Sequence, residues 1–445
     1  MEFDFKVSSG ALHVVSSLQQ AGYETYIVGG AIRDLLLDKQ PKDFDISTSA
    51  TPEEVREVFG KRTARIIGKR FRLVHVFADR EIFEVSTFRR QPSLHAGDMN
   101  DPKALCKPEN MILSDNSYGS SEEDAFRRDF TVNALFYDPV AKKLLDYTGM
   151  GLEDIRNHVV RAIGVPALRF EEDPVRMLRA LKLVAQFNFS LEPATENALF
   201  ASLDLFRHAA SGRKTLELEK ILKSVYSDRH LETFFDYGLL NSFLPELAAV
   251  WGSDAMNYAL DLLYERNVRV ESGLYRDSIS LAMAAAALPF AEAFLGAAPG
   301  QLWEKRTEKV VMAVREAVEN IFAPQTMMVR VREAAIKIIL MQSTLENFTG
   351  NSKTELFRQR SYSHARELLL IRHLALGEDI SELARMWPRG DDHEEKVEFF
   401  PQRRPKKTEA KNSAREHKER NPRRRGRSSR TRRSGKPELP PDFSE

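Results

Sequence analysis

The apolar positions change period several times within the first 160 residues. From Val7 to Gln20 they recur every three or four positions, which predicts a helix closed by Gly22. Thr25–Val28 is a short apolar run ending in the pair Gly29-Gly30, and reads as a strand. AIRDLLL, from Ala31, opens a second helix. KDFDIST alternates with period two, predicting a strand with Asp43 and Asp45 on one face and Phe44 and Ile46 on the other. TPEEVREVF has the marks of a helix start: Thr51 as N-cap, Pro52 at the first helical position, and Glu53 and Glu54 in the first turn. ARIIG, LVHVF and EIFEVSTF follow as strands. Pro, Gly, Asn and Asp crowd the stretch from Arg89 to Gly119, which shows no period and reads as a mobile loop.

From about Asp173 to about Trp387 the periodicity is helical nearly throughout. DPVRMLRALKLVAQF sets Val175, Leu178, Leu181 and Val184 or Ala185 on one stripe. TLELEKILKSVYS and HLETFFDYGLL continue the pattern. After Arg389 the chain is charged and Pro-rich, and no secondary structure is predicted there. The expected organisation is a mixed α/β unit over residues 1–160, all-α units over 161–270 and 271–388, and a disordered basic tail over 389–445.

Charge sharpens this division. The net formal charge of the 445 residues is +1. Yet Gln402 to Lys436 holds sixteen Lys or Arg against three Asp or Glu, so the rest of the chain is net acidic. An acidic body with a strongly basic arm suits a protein that holds a polyanion. The single cysteine, Cys106, excludes a disulfide within the chain and points to a reducing compartment. The opening MEFDFKVSSG lacks the basic start and apolar run of a secretory signal. The longest apolar stretch, from Leu281 to Leu288, is broken by Pro289 and Glu292; it is too short to span a bilayer and reads as a buried helix. A cytoplasmic protein with no membrane partner is expected.

Two constellations carry chemistry. Carboxylates two apart on a strand project side by side, and their repulsion is relieved when a cation sits between them. Hard oxygen donors suit magnesium, which nucleoside triphosphates bring with them. Asp43 and Asp45 are therefore candidate metal ligands. A glycine pair after an apolar strand lets backbone N–H groups approach phosphates closely at a helix start. Gly29 and Gly30 fill that place, with Arg33 one turn further on, within reach of the same phosphates. A phosphate cradle beside a metal site is what phosphoryl transfer requires.

VGGAIRDLLLDKQPKDFDIST resembles the signature of the nucleotidyltransferase branch that contains bacterial poly(A) polymerases and CCA-adding enzymes. RRDFTVNAL (Arg127–Leu135), EEDPVRMLRA (Glu171–Ala180) and the connector DYTGMGLEDIRNHVVRAIG agree with the same family, in its order, over Tyr26 to about Phe187. The resemblance implies a polymerase-beta-like catalytic head, a helical neck and body, and two magnesium ions, one arriving with ATP. It makes Asp43 and Asp45 catalytic. Asp173 and Arg176 would select the incoming base, by accepting from its amino group and donating to a ring nitrogen, with Arg179 helping to hold it. Arg127 and Arg128 would contact triphosphate or ribose, while Asp129 and Asn133 would fix the turn and the sugar. Asp129 and Glu84 compete as third catalytic carboxylate, Glu84 acting as general base on the RNA hydroxyl. The sequence does not choose between them.

Within the branch, IIGKRFRLVHV (Ile66–Val76) resembles the poly(A) polymerase form through Gly68, Lys69, Arg70, Phe71, Leu73, His75 and Val76. YGSSEEDAFRRDF points the same way. A basic tail also suits an enzyme that meets unrelated RNA 3′ ends. Addition of adenosine from ATP to RNA 3′ ends is the leading expectation. CCA addition to tRNA is the alternative, and an RNA-binding module on an inactive core is the non-enzymatic one. Lys182 stands where close relatives often have arginine.

Overall fold

The computed structural model describes residues 3–68, 72–90, 118–349 and 353–389. The tail predicted over 389–445, apart from Arg389, most of the 89–119 loop, and Lys69, Arg70 and Phe71 lie outside the described residues. β1 (Thr25–Val28), β2 (Asp45–Thr48), β3 (Ala64–Ile67), β4 (Leu73–Ala78), β5 (Glu81–Thr87), β6 (Leu135–Asp138) and β7 (Lys143–Asp146) form one sheet in the order β3-β4-β5-β2-β1-β6-β7. β2 and β5 run parallel; the other neighbours are antiparallel.

The period of two in these strands sorts their side chains onto two different cores. Ile27, Ile46, Val74, Val76, Phe83 and Val85 join Val14, Val15 and Leu18 of α1 (Ser9–Gln20) in the main core. After α2 (Gly30–Leu36), α3 (Pro52–Phe59) adds Val55 to this core and starts at the N-cap read from its sequence, where Thr51 and Glu54 form a capping box. On the opposite face Val28, Phe88 and Phe136 pack with Ala125 of α4 (Ser121–Arg127), flanked by Tyr26 and Tyr147.

Two predicted boundaries move for visible reasons. The first helix begins at Ser9, because the Ser8 side chain accepts the N–H of Ala11 and caps it there. The strand over KDFDIST begins only at Asp45, so Asp43 and Phe44 precede it. Its partner β1 ends at Val28, opposite Asp45, and Gly29 then turns out of the sheet at φ 75°. The ladder with β1 therefore ends at Asp45.

The chain then becomes helical through α5 (Gly151–Arg156), α6 (Pro166–Glu172), α7 (Val175–Phe187), α8 (Pro193–Ser202), α9 (Ser211–Lys223) and α10 (Ser227–Asp236). The apolar stretch beginning at Leu281 lies in helix Ile279–Phe294, with every residue from Leu281 to Pro289 buried. A helix apolar on all sides needs neighbours all round, and this one packs against Asp254–Glu271, Glu308–Asn320 and Val329–Leu340. No helix among the described residues is long and apolar enough to cross a membrane.

Glu292 on that helix is fully buried. Its Oε2 accepts from the Gly300 N–H at 2.9 Å, and Oε1 has no hydrogen-bond partner among the described residues. Burial pushes its carboxyl up to about 7, against the pull of the Gly300 N–H and Arg372. The folded state therefore binds this proton more tightly than the unfolded chain does. The stabilisation is complete below the ordinary value of 4.5 and is lost as pH rises through about 7. Glu292→Gln should match the parent's melting temperature at pH 5 and exceed it at pH 8, by about 1–3 kcal/mol of stability. Coincident melts at pH 8 would mean that the charge is already compensated.

Candidate active site

Strand pairing gathers the predicted residues at one end of the sheet. Val28 pairs with Asp45 and with Phe136. Ile46 pairs with Val85 in parallel, which sets Asp45 level with Glu84. The glycine turn, the start of β2, the middle of β5 and the start of β6 thus adjoin one another. Gly29 takes a left-handed φ that a side chain resists, and a Cβ there would come within 3.3 Å of Arg128 Nη1.

Asp43, Asp45 and Glu84 are all exposed. Partial desolvation, then repulsion from Asp43 and Glu84, pushes the Asp45 carboxyl up to about 6, with Arg128 opposing. Asp43 and Glu84 thus both act on Asp45, one from just ahead of β2 and the other from the middle of β5. Glu84 also faces His75, its partner on β4, with Nε2 and Oε1 3.5 Å apart. Asp129 is placed differently. It is buried, pairs with Arg179 at 2.8 Å and accepts the Phe130 N–H at 3.0 Å. Among the described residues no group of three or more His, Cys, Asp or Glu is arranged as a metal cage. Two aspartates are the donor set expected for magnesium that takes its remaining ligands from phosphate and water.

Arginines surround this end of the sheet. Arg128 donates to Asp124 at 3.0 Å and to Ser47 at 3.3 Å, and its guanidinium lies 5.0 Å from the Phe136 ring centroid. Desolvation, then repulsion from Arg89 and Arg176, lowers Arg127 to about 10, with Glu172 opposing; it stays charged at neutral pH. Arg169 is lowered by burial and by Arg176. Arg33, expected to reach the phosphates, is tied to its neighbours in the fold. Its Nε and Nη2 bond Asp34, Nη1 bonds Asn133 at 2.8 Å, and its guanidinium stacks 4.4 Å from the Phe187 centroid. It braces the turn beneath Gly30, and Asn133 is its anchor.

In EDPVR a spacing of three would put Asp173 and Arg176 on one face of a single helix, but the structure separates them. Pro174 disfavours a helical residue before it, so Asp173 is extended (φ −150°, ψ 92°) and separates α6 from α7. Asp173 accepts the Val175 N–H at 3.2 Å and pairs with Arg213 of α9 at 2.7 Å. Arg176 instead bonds Glu172 at 2.5 Å and the Arg169 carbonyl at 3.0 Å. Lys182 pairs with Glu217 at 2.9 Å. Glu172 could have been found from its spacing of four to Arg176, and Arg169 from its spacing of three to Glu172. Arg213 and Glu217 left no signal, being far along the chain from their partners.

Three family models match in chain order: the poly A polymerase head domain over residues 25–161, the probable RNA and SrmB-binding site of polymerase A over 188–250, and the polymerase A arginine-rich C-terminus over 305–430. The chain belongs to the poly(A) polymerase and tRNA nucleotidyltransferase family. Among this family's members it is 41% identical to poly(A) polymerase I of Haemophilus influenzae over 57% of this chain and 55% of that one. It is 38% identical to the CCA-adding enzyme of Bacillus licheniformis over 53% of this chain and 55% of that one. The chain spans about half the length of the curated relatives it matches. The family fold is also that of the Bacillus stearothermophilus CCA-adding enzyme solved with CTP, at a TM-score of 0.57 and 26% identity over 86% of this chain and 81% of that one. The head-domain match contains the glycine pair, Asp43, Asp45, Glu84 and Arg127–Asn133, while EDPVR falls between two matched stretches.

Proposed function

We propose that this protein transfers adenosine monophosphate units from ATP to RNA 3′ ends without a template. One observation carries the reading: Asp43, Asp45 and Glu84 adjoin a glycine turn ringed by arginines. Magnesium held by Asp43 and Asp45, with a second ion arriving on ATP, would polarise the attacked phosphate and neutralise the departing pyrophosphate. The backbone at Gly29 and Gly30 admits the triphosphate, and Arg127 and Arg128 offset its charge. The RNA 3′ oxygen bonds to the α-phosphorus as the bond to the β-phosphate oxygen breaks, and Glu84 accepts the hydroxyl proton. Asp173 and Arg176 would read the base edge from positions set by Arg213 and Glu172. Arg179, held by Asp129, would support the nucleotide.

Adenosine over CCA addition is favoured by the run ending in Leu73, His75 and Val76, and by the 41% likeness to a poly(A) polymerase I. The reading divides the chain into a head (1–160), neck (161–270), body (271–388) and RNA-binding tail (389–445). A single cysteine suits work in the reducing cytoplasm. The deciding assay offers ATP, CTP or both, with an unstructured oligonucleotide or a tRNA lacking its 3′ end. Long tails from ATP alone on the oligonucleotide are expected. Arrest after three additions on tRNA, with CTP required, would instead assign the CCA reaction.

A further inference from the structure

The open face of the outer strands continues from Glu84 into residues that this mechanism leaves unused. On β3, β4 and β5 the residues Ala64, Val74, Val76, Phe83 and Val85 point into the main core. Their neighbours Arg65, Ile67, His75, Phe77, Ile82 and Glu84 must then face the other way. This is the face of Asp45, since Ile46 beside it is core. The registers align one cross-strand row: Arg65 with His75, His75 with Glu84, and Glu84 level with Asp45. Phe77 pairs with Ile82 two residues along, toward the turn between β4 and β5. Three large apolar side chains remain exposed there: Ile67 at 43%, Phe77 at 37% and Ile82 at 55%. The Arg65 guanidinium lies 5.5 Å from the Phe77 ring centroid.

We infer that this face is the seat of the RNA primer's last nucleotides, with a base stacked on Phe77 and Ile82 and a phosphate beside Arg65. The inference rests on the proposed reaction and names the surface that delivers its hydroxyl. Single-stranded nucleic acid is held by an aromatic platform interleaved with cations, and Phe77 with Arg65 makes one. Charge fits the direction of approach. Arg65, at the far end of the row, attracts the backbone, while the carboxylates gather where the hydroxyl must react. Adjacent strands lie about 4.8 Å apart, so Arg65 stands about 10 Å from Glu84, within the span of a terminal dinucleotide. The platform and the reacting carboxylates are one continuous surface, and no chain movement is needed to join them.

The test compares Phe77→Ala, Ile82→Ser and Arg65→Ala in the full chain, using a short oligoadenylate primer and ATP. Because these side chains are exposed, thermal melts should match the parent. Phe77→Ala should raise KM for primer about tenfold, the size of one lost base stack, with KM for ATP unchanged. Arg65→Ala should also raise the primer KM and flatten its dependence on salt. A primer bearing a photoreactive base next to its 3′ end should crosslink to the β4–β5 hairpin of the parent. Primer KM values unchanged in all three variants would overturn the inference, as would a Phe77→Ala effect confined to self-association in sedimentation. A parent that extends no primer instead removes the proposed function, so the two failures are distinguishable.

Discussion

Asp45→Asn should lower nucleotide incorporation by about three orders of magnitude, roughly 4 kcal/mol of transition-state stabilisation, while leaving the protein more stable than the parent at pH 7.5. Both effects have one cause. The Asp45 carboxyl is pushed up to about 6 by partial desolvation and by repulsion from Asp43 and Glu84. A carboxyl raised in the folded state disfavours the fold once pH exceeds that value. The amide keeps the shape and removes the repelled charge, but it is a poor magnesium ligand. Loss of function with a gain in melting temperature is the mark of a charge held for chemistry. Magnesium with an ATP analogue should raise the parent's melting temperature and leave the variant's nearly unchanged. Undiminished incorporation by Asp45→Asn would end the two-aspartate mechanism.

Glu84→Gln and Asp129→Asn should fail in different ways, although the sequence offers both as third carboxylate. Glu84 acts on Asp45 across adjoining strands and is exposed to an arriving hydroxyl. Its loss removes the proton acceptor, which is worth about 10²–10⁴ in rate. The expected result is a large fall in kcat with little change in KM for ATP. Asp129 is buried and committed to Arg179 at 2.8 Å. Its loss frees that guanidinium from the carboxylate it pairs with, so KM for ATP should rise while kcat falls less. Steady-state kinetics of the two variants decide the matter. A larger kcat loss in Asp129→Asn than in Glu84→Gln would reverse the assignment.

The two carboxylates show why the sequence left this choice open. Both lie far from the aspartate pair along the chain, and spacing says nothing about which strands become neighbours. Parallel pairing of β2 with β5 brings Glu84 level with Asp45, and that pairing depends on how the whole sheet closes. Arg33 is a similar case. Its spacing from the glycine pair was legible, but its partners Asn133 and Phe187 come from distant stretches. Asp173 shows the opposite failure, since a local signal was present and outweighed. Pro174 was visible in the sequence, and its steric demand on the preceding residue separates Asp173 from Arg176's helix.

By itself, the sequence determined what short-range physics controls: the period-two strands, the capped helices, the buried Ala-rich helix, and the two aspartates and two glycines set one short helix apart. Backbone sterics, side-chain alternation and burial act over a few residues, so a local pattern is enough to read them. Only the tertiary structure decided which charges meet. Glu84 beside Asp45, Asp129 on Arg179 and Arg213 on Asp173 are contacts between segments that share no local constraint, and chain folding alone brings them within the few ångströms over which carboxylates and guanidiniums act.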